Sequence, residues 1–491
     1  MYNKQSYLKE INEVIAKGRY KDQWDSLSRY EVPAWYKDAK FGIFIHWGVY
    51  SVPAFDNEWY SRNMYIQGEK AFEHHIKTYG EQKDFGYKDF IPMFKAEKFD
   101  ANEWADLFKQ AGAQYVVPVA EHHDGFQMYK SEISHWNAFE MGPEKDLIKE
   151  LTDALLDKGI TPGASSHRVE HWFFMGHGKE FESDITDQEK EGDFYWPAMP
   201  ERDHFDFSSE PTPTKEFLED WLVRCCEIVD RFRPRLVYFD WWIQHESVKP
   251  YLKKFAAYYY NRAEEWGWDG GVINYKHDAF LFGSAVVDIE RGQFAQIKPF
   301  VWQTDTSVAN NSWCYTEGNT YKEAKDIICD LIDIVSKNGR LLLNIGPKAD
   351  GTIPEEDRRI ILEIGDWLKV NGEAIYGTKP WRNAEEGPTK VQEGHFTDGR
   401  KKSFTSEDIR YTLKGTYLYA AVMAYPENGK VVLKELADVH GNNLSYHGVI
   451  KDVSVLGFDE EVRWERTGRG LEISTGLVKS DRPVVFKIQL D

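Results

Sequence analysis

A chain of 491 residues exceeds one ordinary domain and is expected to hold two. Hydrophobic residues make up 42% of it, enough for a large core, which excludes global disorder. The net charge of −20 argues against nucleic acid or an anionic membrane as a partner, and no apolar run approaches the roughly 18 residues of a membrane span.

The first ten residues lack a basic stretch followed by an apolar core, so no signal peptide is read there. Cys225 and Cys226 are adjacent and too close to pair readily with each other, while Cys314 and Cys329 show neither disulfide nor metal spacing. A cytoplasmic location is therefore expected, or a secreted or periplasmic one if a leader has been removed. The 18 Trp, 27 Tyr and 29 Phe are a heavy aromatic load. Flat apolar rings with a polar handle suit pyranose faces, and they also suit the core of a large enzyme.

Taken in order, Leu8, Ile11, Val14 and Ile15 have helical spacing and predict an amphipathic opening helix. The run Phe41-Gly-Ile-Phe-Ile45 predicts a strand that ends in His46 and Trp47. Asp100 reads as the cap of a helix with Trp104, Leu107, Phe108 and Ala111 on one face. Further strands are expected at 115–120, 161–166, 236–239, 271–275, 286–290, 300–304 and 340–346. Helices are expected at 146–158, 214–232, 248–266, 320–337 and 355–370. Alternation on this scale predicts a (β/α)8 TIM-like barrel, irregular where the fifth and sixth strands lack following helices. Beyond Gly372 short alternating segments predict a C-terminal antiparallel β-sandwich. The expected division is a catalytic barrel at 1–375 and a sandwich at 385–491.

In a barrel of this kind the C-terminal strand tips converge on one face. Here those tips carry His46, His122 and His123, His167, Asp240, Tyr275 and Lys276, Glu290, Thr304 and Asn344. So many polar tips are hard to explain as helix caps, and they predict an active site. Asp240 and Glu290 lie on different strands and suggest glycoside chemistry, in which one carboxylate attacks and one carboxylic acid protonates the leaving oxygen. The rival is a hydrolytic metal held by His46, His122, His123 and His167. Adjacent histidines on a strand point to opposite sides unless the strand ends there, and no His-x-His pair appears at the first strand, so no metal or cofactor is expected. His74, His75 and His135 lie outside the tips and read as surface or structural residues.

Several longer pieces resemble one family. They are Lys40-Phe-Gly-Ile-Phe-Ile-His-Trp-Gly48, Glu58-Trp-Tyr60, residues 99–117, Glu121-His-His-Asp-Gly-Phe126, Trp302 with Trp313-Cys-Tyr315, and Ser336-Lys-Asn-Gly-Arg-Leu-Leu-Leu-Asn-Ile-Gly-Pro347. In this order they are similar to the α-L-fucosidases of glycoside hydrolase family 29. The resemblance implies an exo-acting retaining enzyme, with Asp240 as nucleophile and Glu290 as the best candidate for acid/base. Asp288 is the nearest rival to Glu290, two residues further inside the barrel. His46, Glu58, Trp59, His122 and His123 fall on the family's fucose-binding positions, and Trp302 lies in a matching motif.

The chain departs from the family pattern at three places. Tyr238 stands where relatives usually carry Trp, two residues before the nucleophile. The third strand reads Gly163-Ala-Ser-Ser166 followed by His167-Arg168, and Asn274-Tyr-Lys276 stands where relatives carry Asn-Asp-Arg, so the arginine contact is expected to be either lost or replaced by Lys276. His167, Tyr238 and Lys276 therefore join the expected substrate-binding set. The expected partner is a fucosylated glycan or oligosaccharide; the alternatives are a retaining glycosidase for a related sugar such as α-L-galactose, or a fucose-binding protein without turnover.

Overall fold

The computed structural model describes residues 3–201, 206, 210–399, 403–438 and 446–491. Eight parallel strands close into a barrel in sequence order: β1 (Phe41–Ile45), β2 (Tyr115–Glu121), β3 (Thr161–Ser166), β4 (Leu236–Phe239), β5 (Val272–Tyr275), β6 (Val286–Glu290), β7 (Trp302–Ser307) and β8 (Gly339–Ile345). Closure is made by β8 pairing with β1, with Phe41 opposite Leu341 and Ile45 opposite Ile345. Every residue of β1, β2, β4 and β8 is buried, because helices cover the outside and side chains fill the inside.

The helices begin and end where their sequences direct. Asp100 accepts from the Asn102 and Glu103 N–H groups at 2.9 and 3.1 Å and starts Ala101–Gln110. Thr214 caps Lys215–Phe232 by accepting from Phe217 N–H, and Arg233, in a left-handed conformation, turns the chain into β4. No helix follows β5 or β6, as the sequence reading anticipated. The links 276–285 and 291–301 instead pass beside the strand tips, which leaves that side of the barrel open to the C-terminal part of the chain.

After the helix Glu355–Asn371 come two antiparallel sheets. One has five strands: β9 (Lys379–Glu386), β10 (Ile409–Lys414), β11 (Tyr417–Val422), β13 (Ile450–Val455) and β16 (Val484–Leu490), in the order β13-β16-β11-β10-β9. The other, ordered β12-β15-β14, contains β12 (Lys430–Leu433), β14 (Arg463–Thr467) and β15 (Gly470–Ser474). Their facing sides share a separate core that includes Trp381, Tyr411, Leu433, Ile473 and Phe486. The sequence pattern does not predict β9 or β14. β9 crosses the expected start at 385 and buries Trp381 and Ala384, three residues apart, so it lacks the two-residue alternation that marks a strand.

The five-stranded sheet is joined to the barrel by a buried ion cluster. Asp333, on the helix Ala324–Ser336, pairs with Lys337 at 2.7 Å and with Arg410 of β10. Glu385 of β9 pairs with the same Lys337 and Arg410 at 3.2 and 3.4 Å.

Candidate active site

The strand tips surround a cavity of about 340 Å³, lined by residues from seven of the eight barrel strands or the loops that follow them. That volume lies at the small end of ligand sites, which span roughly 300–1,000 Å³, and suits one sugar ring rather than a long chain. His46, Glu58, Trp59, His122, His123, His167, Tyr238, Asp240, Lys276 and Glu290 all line it, as do Phe44, Trp241, His277, Asp305, Trp313 and Phe396.

Strand periodicity explains which side chains enter. Alternate residues face the interior, so Tyr238 and Asp240, Asp288 and Glu290, and Gln303 and Asp305 form inward pairs. Asp288 is fully buried one layer deeper than Glu290 and accepts from Gln303 Nε2 at 2.8 Å. Thr304 points away, its hydroxyl donating to backbone carbonyls of Ile289 and Gly292, and Asp305 is the β7 residue that reaches the cavity. Tyr275 likewise turns from the cavity and packs on Phe280.

Trp302 requires a correction. It lies at the N-terminal start of β7, fully buried, with its indole N–H donating to Lys337 O at 3.0 Å and its ring against Gly339. Of the Trp302 and Trp313 motif, it is Trp313, on the loop after β7, that reaches the cavity, with the Arg291 guanidinium 4.6 Å from its ring centroid.

Hydrogen bonds fix the tautomers of His46 and His123. Asn344 Oδ1 accepts from both the His46 backbone N–H and His46 Nδ1, at 3.1 and 2.7 Å, and the Asn344 amide is fixed because its Nδ2 donates to Ser307 Oγ and Trp313 O. His46 Nδ1 therefore carries the proton, and Nε2 is left as an acceptor. Burial, reinforced by His167, pushes His46 well below the ordinary imidazole range. His123 Nδ1 donates to His167 O at 3.0 Å and Nε2 lies 3.6 Å from Asp240; burial first, then His167, lowers its pKa to about 3. His122 is pushed well down by burial and the neighbouring His123. Glu58 accepts from Trp313 N–H at 3.0 Å and Ser312 Oγ at 3.3 Å, with its pKa raised by burial. Trp59 stands parallel to Trp241 with ring centroids 6.5 Å apart.

Beneath these rings a buried ion network anchors the β2 and β3 tips. Glu121 accepts from Arg168 and Arg224, both at 3.0 Å, and Asp220 accepts from the same two guanidiniums at 2.8 Å. Arg168 follows His167 and Glu121 precedes His122, so this network sets the position of three active-site imidazoles. His75 is structural, bonded to Tyr60 OH and Phe85 O.

The electrostatic centre is Lys276. Its ammonium lies 3.3 Å from Asp240 Oδ1, 2.9 Å from Glu290 Oε2 and 3.3 Å from Asp305 Oδ2. Burial alone would lower its pKa, but Asp305, Glu290 and Asp240 outweigh burial and keep it charged. Burial pushes the Asp240 carboxyl up, yet Lys276 and the His167 Nδ1 contact at 3.1 Å prevail and hold it well below the usual carboxylate range. Glu290 behaves oppositely: burial raises it to about 7 against the pull of Lys276, and the negative charge of Asp240 adds to the rise. Two carboxyls in one cavity are thus driven apart, one ionised and one holding its proton near neutrality. Two of the departures from the family pattern meet here, since Tyr238 OH donates to Asp305 at 2.6 Å and its ring lies 5.3 Å from the Lys276 nitrogen.

Among the described residues, two groups bring metal-ligating atoms within 4.8 Å of one another: His46, His122 and His167, and His123, His167 and Asp240. Both contain His167, whose ring nitrogens already engage Asp240 and Ser165 Oγ, at 3.1 and 3.0 Å. An ion in either group would have to break one of those contacts.

A parallel (β/α)8 barrel with one carboxylate, one carboxylic acid and an aromatic pocket one sugar ring wide defines a glycoside hydrolase of the barrel class. A family model described as α-L-fucosidase matches residues 7–373, and one described as the α-L-fucosidase C-terminal domain matches residues 401–489. The chain belongs to the α-L-fucosidase family, glycoside hydrolase family 29. It is 30% identical over 475 residues to the tissue α-L-fucosidase of Homo sapiens, covering 93% of this chain and 88% of that protein. It is also 30% identical to the plasma α-L-fucosidase of Pongo abelii over 483 residues, covering 93% and 89%. The structure of Thermotoga maritima α-fucosidase in complex with fucose superposes with a TM-score of 0.75 at 30% identity, over 96% of this chain and all of that one.

Proposed function

We propose that the enzyme is an exo-acting retaining α-L-fucosidase that releases terminal α-L-fucosyl residues from oligosaccharides or glycoconjugates by double displacement. The carrying observation is the shared contact of Asp240 and Glu290 with one ammonium nitrogen, at 3.3 and 2.9 Å. Laid end to end, those contacts fall short of the roughly 6.5–9.5 Å that an inverting pair needs to admit a water, and they accommodate the roughly 5–5.5 Å of a retaining pair.

In the first step Asp240 attacks the anomeric carbon while Glu290 gives its proton to the departing glycosidic oxygen, leaving a fucosyl ester on Asp240. Esterification removes the negative charge that helped to raise Glu290, while Lys276 stays in place. The Glu290 pKa therefore falls, and the residue changes from acid to base in time to take a proton from the attacking water. That water opens the ester and regenerates the Asp240 carboxylate. His46 Nε2 is available as an acceptor for a sugar hydroxyl, and Phe44 and Trp313, which line the cavity, offer apolar rings to the 6-methyl group of fucose. A 6-hydroxyl sugar such as α-L-galactose fits this apolar contact less well, by about 1–3 kcal/mol.

Asp240→Gly tests the assignment. The variant should lose hydrolysis of an aryl α-L-fucoside by at least about a thousandfold and regain part of it with added azide, giving the inverted fucosyl azide. Retention of near-normal hydrolysis without azide would remove Asp240 from the nucleophile's role.

A further inference from the structure

The segment between β9 and β10 does more than connect two strands. Residues 394–398 reach back to the barrel and clasp the backbone after β6. Glu290 N–H donates to His395 Nδ1 at 3.0 Å, and Phe396 N–H donates to Glu290 O at 2.9 Å. Gly394 N–H donates to Gln293 O, while Thr397 and Asp398 N–H groups both donate to Arg291 O at 2.7 and 2.9 Å. Asp398 is locked by Lys322 at 2.8 Å, Arg291 at 3.3 Å and Thr306 Oγ1 at 2.6 Å. The fit is close: a Cβ on Gly292 would come within 1.8 Å of Gly394 O.

This clasp holds one apolar side chain at the cavity mouth. Phe396 lines the cavity, yet its side chain is 65% exposed, and its φ of 54° is one that residues with a Cβ rarely adopt. Beside it the His395 ring stacks on His277, with centroids 4.7 Å apart and planes 21° apart. A strained, exposed phenyl next to two imidazoles offers an apolar face with polar neighbours, which is the chemistry that recognises a pyranose.

We infer that this segment of the C-terminal part of the chain builds the leaving-group side of the active site, with Phe396 as the platform for the sugar to which fucose is attached. The inference rests on Glu290 as the acid, because the acid must touch the glycosidic oxygen and Phe396 is bonded to it through the backbone. It adds to that reading the class of leaving group, a hexose ring.

The test compares kcat/KM on two substrates, α-L-fucosyl fluoride, whose leaving group has no ring, and the best-cleaved member of a set of fucosyl-hexose disaccharides of different linkage. In Phe396→Ala the ratio of disaccharide to fluoride should fall about tenfold, and Phe396→Trp should restore it. A ratio that does not change, or an equal loss on both substrates, overturns the platform. Wild-type enzyme that cleaves neither substrate would overturn the catalytic assignment, and the platform with it.

Discussion

Asp240 and Glu290 begin as the same kind of group and are given different charges by their surroundings. Lys276 and His167 stabilise the ionised form of Asp240, whereas burial and the Asp240 charge favour the protonated form of Glu290. The sign of the pH dependence follows. The proposed mechanism requires Asp240 deprotonated and Glu290 protonated, so kcat/KM should be flat through mildly acidic pH and fall as pH rises through about 7, where Glu290 loses its proton. The acid limb should appear only below the ordinary carboxylate range, because Asp240 is held there. A pH profile of kcat/KM on an aryl fucoside checks both limbs. An alkaline limb that survives unchanged in Glu290→Gln would assign it to another group. Both carboxylates were legible in the sequence because each stands at the C-terminal tip of an expected strand. Asp305 was not, since Thr304 beside it is equally polar and only the barrel register decides which of the two faces inward.

At the scale of elements, the site depends on how the β2 and β3 tips are held. Glu121, Arg168, Asp220 and Arg224 are all buried and, among the described residues, form their ion pairs with one another. Removing one partner leaves uncompensated buried charge, which costs about 3–5 kcal/mol. Arg224→Ala should therefore lower the thermal unfolding midpoint clearly and also weaken activity, although Arg224 lines no part of the cavity. A variant with wild-type Tm and activity would show that the network is dispensable. The same scale explains the misplacement of Trp302. Its motif gives the strand but not the end at which the side chain lies, and the first residue of β7 is at the end remote from the chemistry. Trp313, 11 residues on and in a loop, has no periodicity that would announce its direction.

For the whole molecule, the barrel and the C-terminal sheets are joined by more than chain continuity. Asp333 and Lys337 from the barrel meet Glu385 and Arg410 from the five-stranded sheet, and Trp367 Nε1 donates to Pro483 O at 2.9 Å. This coupling predicts one calorimetric unfolding transition; two well-separated transitions in the native enzyme would contradict it. The barrel was readable from its repeating strand-then-helix pattern, including the helix-poor side after β5 and β6. The role of residues 394–398 was not, because the long link 387–408 carries no local sign of the distant backbone it clasps.

The central proposal is that Asp240 and Glu290 work as a retaining pair. The most direct measurement is the anomeric form of the first product, followed by time-resolved proton NMR during hydrolysis of an aryl α-L-fucoside. The account predicts that α-L-fucose appears first and mutarotates afterwards to the β form. If β-L-fucose appears first, the carboxylates work across a water, and the account is wrong at its centre.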